Sequence, residues 1–375
     1  MDFSRKLPIG VRDSLRDRFT ELMPASQKND EETLMKYDLD RFIKAQEVEY
    51  EIALCEIREG RKRSHWIWYI FPQVKGLGFS STSEYYGING IAEAKEYMKN
   101  ELLHKRLVEI STALYELPES DPSVVMGYPD DLKLKSSMTL FAEAAPEEKI
   151  FEQVLEKYFD GKKDIETLKR IAISVDYMRQ SDAYTIANFT DSRELMYRAA
   201  MGVYNAYEKW RDKKIAILVG GGNNGGDGYA LAGILKERGA DPIVYQVSDK
   251  LSEDGKYYCD KSTEAGVEIL PFNAENTFEE YDIIVDCILG TGFAGEVRGK
   301  AKEAIIAVNA ASAYVISVDI NSGLNGDTGD GNPAIRSDIT VSIGYYKTGM
   351  FKGDAPRLIG KLVNADIGIE LIDAY

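Results

Sequence analysis

Two spacings of apolar residues divide the chain. From Asp38 to about Tyr158 apolar positions recur at helical intervals. Phe42, Ala45, Tyr50, Ala53, Leu54 and Ile57 fall, with Gln46, near the i, i+3, i+4, i+7 pattern of one buried face. Asp38 or Asp40 is the expected N-cap of that helix and Gly60 its expected stop. A second helical run, Ile91 to Leu117, carries Ala94, Tyr97, Met98, Leu102, Leu103, Leu107 and Ile110 in similar register, and a third spans about Glu147 to Tyr158. A mainly α-helical domain over 38–168 follows. Past Leu168 the spacing changes to short runs rich in Val and Ile: Ile215–Val219, Pro242–Val247, Ile283–Ile288, Tyr314–Ile320 and Ile339–Ile343. Each is too short for a core helix, ends in a turn-forming or polar neighbourhood, and alternates with helical stretches. This predicts an α/β domain over 169–375, with a mainly parallel sheet covered by helices on both faces in three layers. A linker is expected near Gly161–Thr167, where charges crowd. Residues 1–37, polar apart from Leu7-Pro8-Ile9 and Phe19, read as a leader.

At 375 residues the chain suits two domains, each able to bury its own core. A formal charge of -16 argues against nucleic acid as a partner, since phosphate backbones need concentrated Lys and Arg. Small phosphorylated ligands stay open, because backbone N–H groups bind anions without side-chain charge. Cys55, Cys259 and Cys287 are scattered and odd in number, so neither a disulfide framework nor a metal-ligand spacing is visible. With no signal peptide in view, a cytoplasmic location is expected. No apolar run approaches the roughly 20 residues that span a bilayer, so no membrane partner is expected.

The segment Gly220-Gly221-Gly222-Asn223-Asn224-Gly225-Gly226-Asp227-Gly228 follows the first strand directly, and Tyr229–Arg238 then reads as a helix. Glycines allow positive φ and close approach of N–H groups to an anion, and the helix start adds its dipole. A phosphate or pyrophosphate is the natural occupant. Gly220, Gly222 and Gly225 satisfy G-x-G-x-x-G, but the next strand ends in Tyr245-Gln246-Val247, with Asp249 only beyond it. A standard dinucleotide dehydrogenase wants an acid at that strand end to hold ribose hydroxyls, and is disfavoured. Asp286 and Asp319 each stand at a strand end, where open α/β sheets place their ligands; strand-end acids also cap neighbouring helices.

Further motifs appear in order: Ser192-Arg193-Glu194-Leu195-Met196-Tyr197-Arg198-Ala199-Ala200, Val285-Asp286-Cys287-Ile288-Leu289-Gly290-Thr291-Gly292, Ser317-Val318-Asp319-Ile320-Asn321-Ser322-Gly323-Leu324, Lys347-Thr348-Gly349 and Asp366-Ile367-Gly368-Ile369. Over about 171–372 the chain resembles the N-terminal domain of the YjeF family, the NAD(P)H-hydrate epimerases. The resemblance implies a Rossmann-like fold and interconversion of the R and S forms of hydrated NADH and NADPH (NADHX and NADPHX). It implies that Asn223, Asn224, Gly225, Gly226 and Asp227 cradle the phosphates and ribose. Gly290, Thr291, Gly292, Phe293, Ala294, Gly295 and Glu296 would line the nicotinamide side, and Asp319 would contact the ligand or transfer protons. Asn224, Asp286 and Ser322 would hold a potassium ion (K+). It also suggests a homodimer, and with no dehydratase domain after Tyr375, a separate ADP/ATP-dependent NAD(P)H-hydrate dehydratase as pathway partner. Two departures stand out. Asn321 and Thr348 occupy positions where the family commonly has proline, and the first is expected to loosen its loop. Lys347 reads equally as a charge facing the ligand and as a structural residue.

Residues 38–168 resemble the DUF1810 family through Asp40-Arg41-Phe42 with Ala45-Gln46, Arg63-Ser64-His65-Trp66-Ile67-Trp68-Tyr69-Ile70-Phe71-Pro72-Gln73, and Lys133 to Phe141. No activity follows from that label. Trp66 and Trp68 read as core residues, with a stacking pocket that uses His65 or Gln73, lined also by Arg41, Ser64 and Ser137, as the functional reading. His104 reads as a surface histidine. The competing reading of the whole is a non-catalytic nucleotide-binding or dimerisation module, but relatives of that kind tend to lose the Asn-Asn-Gly-Gly-Asp segment kept here. The fusion also motivates the idea that the helical half handles a related nucleotide.

Overall fold

A computed structural model of the protein describes residues 37–372, so the expected leader lies outside the described residues but for Tyr37. The chain divides into two compact units, with the boundary between Arg170 and Ile171.

In the first unit the helix Asp40–Arg58 buries Phe42, Gln46, Tyr50, Ala53, Leu54 and Ile57, the face set by the apolar spacing. Its N-cap is Leu39 without a side-chain cap, so neither aspartate caps it, whereas Gly60 takes the expected left-handed turn at φ +77°. The long second run is two helices, Gly90–Lys99 and Glu101–Glu116. Asn100 breaks them apart: its backbone is extended and its side chain accepts the Leu103 N–H. Apolar register alone hides this break, because both helices bury the same kind of stripe. The third helix is Ile150–Phe159. Residues 165–171 are helical rather than open linker. Asp164 caps them by accepting from the Thr167 N–H and hydroxyl, and the buried Thr167 bonds Ser136.

The aromatic motif of this unit is mostly spent on packing. Trp66 is fully buried and donates from Nε1 to Glu56, which also receives the Ser64 hydroxyl and the Arg63 and Ser64 N–H groups. Burial would raise the Glu56 carboxyl, but these donors outweigh it and hold it down to about 2. Trp68 is half-buried under the Lys133 ammonium, 3.8 Å from its ring centre. Arg41 is tied to Glu93 and the Gly87 carbonyl. His65 is exposed, and His104 bonds Glu148.

The second unit is a seven-stranded sheet, all parallel, in the order β3-β2-β1-β4-β5-β6-β7. The strands are β1 Ile215–Val219, β2 Pro242–Gln246, β3 Glu268–Pro271, β4 Ile283–Cys287, β5 Tyr314–Val318, β6 Ile339–Ile343 and β7 Lys361–Ala365. Strands β1, β4 and β6 are buried along their whole length, as Val/Ile-rich runs covered on both faces should be. Ala216, Leu218 and Ile284 join Ala304, Ile305 and Val308 of the helix Gly299–Ala310 in one core. On the opposite side chain row, Val219 sits against Gly228 of the helix Asn223–Glu237. The period of two thus assigns one helical layer to each face.

Strand order reverses at the β1/β4 pair, which opens a crevice at the carboxyl edge of the sheet. The loop leaving β5 borders it. Asn321 does not loosen that loop. It is fully buried, its amide nitrogen lies 3.0 Å from the Ile335 carbonyl, Ser337 Oγ and the Leu358 carbonyl, and its oxygen accepts from Thr340 at 2.6 Å. Asn321→Ala should therefore cost about 2–4 kcal/mol, because it orphans several buried groups. Chemical denaturation of the two proteins checks this, and a loss under about 0.5 kcal/mol would contradict it.

Candidate active site

A cavity of about 810 Å³ fills the crevice. Asn224, Asp227, Thr291, Asp319 and Lys347 face it from the sheet side, and Met178 and Asp182 from the helix Val175–Asn188. The short parallel bridge between Ile173 and Lys347 seats that helix, with Ser174 as its N-cap and Asp327 accepting the Val175 N–H.

The sequence places its glycines differently from expectation. Helix starts at Asn223, with Gly222 as N-cap, so Asn223 to Gly228 form the first turns of the helix and not a loop. None of the glycines from Gly220 to Gly228 has positive φ. All of them but Gly222 are required by close approach. A Cβ on Gly220 would lie 1.9 Å from the Ile288 carbonyl oxygen, one on Gly225 2.1 Å from that of Gly220, and one on Gly228 2.7 Å from Val219. The helix start is thereby drawn tightly onto β1, with its free N–H groups at the crevice.

Asp319 is the most constrained residue of the site. It follows β5 in a left-handed conformation, φ +66°, that side chains other than glycine adopt at a cost. Its Oδ2 accepts from the Thr291 N–H and hydroxyl, both at 2.9 Å. Its Oδ1 accepts from the Lys347 ammonium at 2.6 Å. Lys347 is almost wholly buried and is further held by the Ile343 carbonyl at 2.8 Å. Lys347 is therefore part of the site, and Thr348 beside it reaches Asp327 with its hydroxyl.

Asp227 and Asp182 complete a group of three carboxyls around this one ammonium. Burial, then Asp319 and Asp182, push the Asp227 carboxyl well above its ordinary value, with Lys347 opposing. Burial and then Asp319 push Asp182 up as well. Asp182 makes no hydrogen bond or ion pair among the described residues. A carboxyl raised on folding binds its proton more tightly in the folded state. That contribution is complete below the ordinary value near 3.8 and is lost as pH rises through the folded value. Asp227→Asn should accordingly melt higher than the native protein near about pH 7, by about 2–4 °C for each kcal/mol recovered, and match it near about pH 3.5. Equal melting differences at both pH values would refute the raised carboxyl.

Of the expected ligand contacts, Asn223, Asn224, Asp227, Gly290, Thr291, Gly292, Phe293, Ala294 and Asp319 line the cavity. Gly225 and Gly226 are buried in the helix, and Gly295 and Glu296 lie off the lining, with Glu296 paired to Arg298. The expected cation ligands divide in two. Both amide atoms of Asn224 are buried with no partner among the described residues, which suits an oxygen donor waiting for a cation. Asp286 is fully buried and satisfied by Ser317, Ser322 and the Ile288 and Ser322 N–H groups, yet burial still raises its carboxyl. Sequence reading missed Asp182. Its signal was an acid in the stripe Val175, Met178, Asp182, Ile186, all of which face the cavity at helical spacing.

Residues 192–349 match the family model described as YjeF-related protein N-terminus. An NAD(P)H-hydrate epimerase of Weissella koreensis is 33% identical over 204 residues, 53% of this chain and 91% of that enzyme. The chain belongs to the YjeF-related family. A bifunctional NAD(P)H-hydrate repair enzyme, Nnr, of Coxiella burnetii is 30% identical over 197 residues, 51% of this chain and 40% of that protein. Residues 36–171 match DUF1810, a family of proteins of unknown function. There the solved structure of the conserved hypothetical protein Rv1873 from Mycobacterium tuberculosis is 42% identical, covering 36% of this chain and 95% of that one at a TM-score of 0.35. Among the described residues no helix is long and apolar enough to cross a membrane.

Proposed function

We propose that the C-terminal unit is an NAD(P)H-hydrate epimerase that interconverts the R and S forms of NADHX and NADPHX. The observation that carries this reading is the cavity in which the Asp319–Lys347 pair and the raised carboxyl of Asp227 face one space. Inverting the hydrated ring carbon needs either its hydroxyl to leave or its ring to open, then the reverse on the other face; the acids of this site suit the first route. Asp227, whose proton is held more tightly by burial among other carboxyls, delivers it to the departing hydroxyl, which leaves as water. The ring nitrogen's lone pair takes up the electron demand. Water then adds to the opposite face and gives its proton to Asp319, whose other oxygen stays fixed by Lys347. Transfer of that proton back to Asp227 closes the cycle, and Asp182 lies in the same cavity to relay it.

Asn224 would hold a potassium ion there, with Asp286 and Ser322 supplying charge and a second oxygen, and the cation would offset the ligand's phosphates. On the same reading a separate ADP- or ATP-dependent dehydratase consumes the S form and the working assembly is a homodimer. The test is conversion of purified R-NADHX, with an S-specific dehydratase as reporter, in potassium and in an organic-cation buffer. The expected result is turnover far above the spontaneous rate, reduced when potassium is withdrawn. Turnover at the spontaneous rate would move the unit to the class of non-catalytic nucleotide-binding modules.

A further inference from the structure

A second cavity, of about 470 Å³, lies at the same edge of the sheet and shares Gly221, Ile288 and Leu289 with the first. Its distinctive walls are Ser248, Asp249 and Lys250, which follow β2, and Lys300, in the first turn of the helix Gly299–Ala310. The turn after β2 is anchored to β1 by the Val247 N–H, which donates to the Val219 carbonyl at 2.9 Å. Ser248 Oγ closes it by accepting the Lys250 N–H at 3.2 Å. The turn also touches the glycine segment directly, since a Cβ on Gly221 would lie 2.6 Å from the Lys250 carbonyl oxygen and 2.8 Å from Ser248 Oγ.

In a sheet of this strand order a dinucleotide lies across the β1 turn, its pyrophosphate at the helix start and its two nucleosides to either side. If the reacting ring occupies the first cavity beside Asp319, the adenosine half extends over the end of β2, into the second. An ordinary ribose-diol site would offer an acid at that strand end. Here Gln246 ends the strand, and Asp249 lines the cavity together with Lys250 and Lys300. Lys250 and Lys300 are exposed and make no ion pair among the described residues. Lys300 also sits where the helix dipole disfavours a cation, a position compensated only when an anion arrives. Two ammoniums against one carboxylate leave a net positive charge.

We propose that this second cavity recognises the 2′-phosphate of NADPHX, with Lys250 and Lys300 as its contacts, so that the protein prefers NADPHX to NADHX. The proposal rests on the epimerase reading for the ligand's orientation. Its test compares the full chain with a Lys250→Gln/Lys300→Gln variant in two assays. Calorimetric titration with adenosine 2′,5′-bisphosphate and with 5′-AMP should show the native protein preferring the bisphosphate by about tenfold or more, and the variant losing that preference. Turnover should show kcat/KM for NADPHX falling about tenfold further than that for NADHX. A native protein without the bisphosphate preference, or a variant that loses both substrates equally, overturns the proposal. Absent turnover with a lysine-dependent bisphosphate preference would overturn the epimerase reading and leave the 2′-phosphate site standing.

Discussion

Asp319→Asn should lower kcat for NADHX and NADPHX by about 10²–10⁴, the range seen when a positioned proton-transfer group is removed. Asparagine keeps the shape and an acceptor for the Thr291 N–H and hydroxyl, but cannot take a proton from the incoming water. It also leaves the Lys347 ammonium, 1% exposed, without its carboxylate. Removing one partner of a buried pair costs about 3–5 kcal/mol, so a loss of stability will accompany the loss of rate. The companion variant Asp319→Asn/Lys347→Met separates the two effects. It removes the stranded charge, and its melting temperature should recover most of the deficit while its kcat stays low. Activity that recovers with stability would show that Asp319 serves the fold alone. Single and double variants within tenfold of the native kcat would remove Asp319 from the chemistry.

The parts of this site that the sequence exposed are those whose signal is local. Strands β1, β4 and β6 are Val/Ile-rich runs because both faces are covered, and Asp286 and Asp319 mark the carboxyl ends of β4 and β5 in the sequence itself. The strand order, and hence the crevice between β1 and β4, is a property of long-range pairing that no window of residues contains. The same holds for Lys347. Its charge was readable, but its burial against Asp319 depends on a bridge to Ile173 at the far end of the unit. Asn321 shows the reverse error. By its own propensity it is a more flexible residue than proline, whereas buried donors and acceptors from three other segments make it a fixed point. The helix start at Asn223 was misplaced because glycine is a poor helix former, a local rule overridden by the need for close packing against β1.

Gly220→Ala and Gly222→Ala, two residues apart, should fail in different ways. At Gly220 the added carbon would lie 1.9 Å from the Ile288 carbonyl oxygen and 2.9 Å from its carbon, both backbone atoms. Neither side has room to yield, since the Gly220 N–H donates to the Cys287 carbonyl at 3.0 Å and so couples the ends of β1 and β4. Relieving the overlap means separating those strand ends. A loss of about 3 kcal/mol or more follows, or about 6–12 °C in Tm for a domain of this size. At Gly222 nothing lies within 4 Å of the added carbon, and φ is −94°. Alanine fits the N-cap backbone there and should change stability by less than about 0.5 kcal/mol. The carbon instead projects into the cavity beside the helix start, where a phosphate would sit, so KM should rise by about tenfold with Tm unchanged. Thermal melts and substrate titrations on both variants decide the matter. If Gly222→Ala leaves KM at its native value, the anion does not rest on the start of this helix, and the phosphates must be held elsewhere along the crevice.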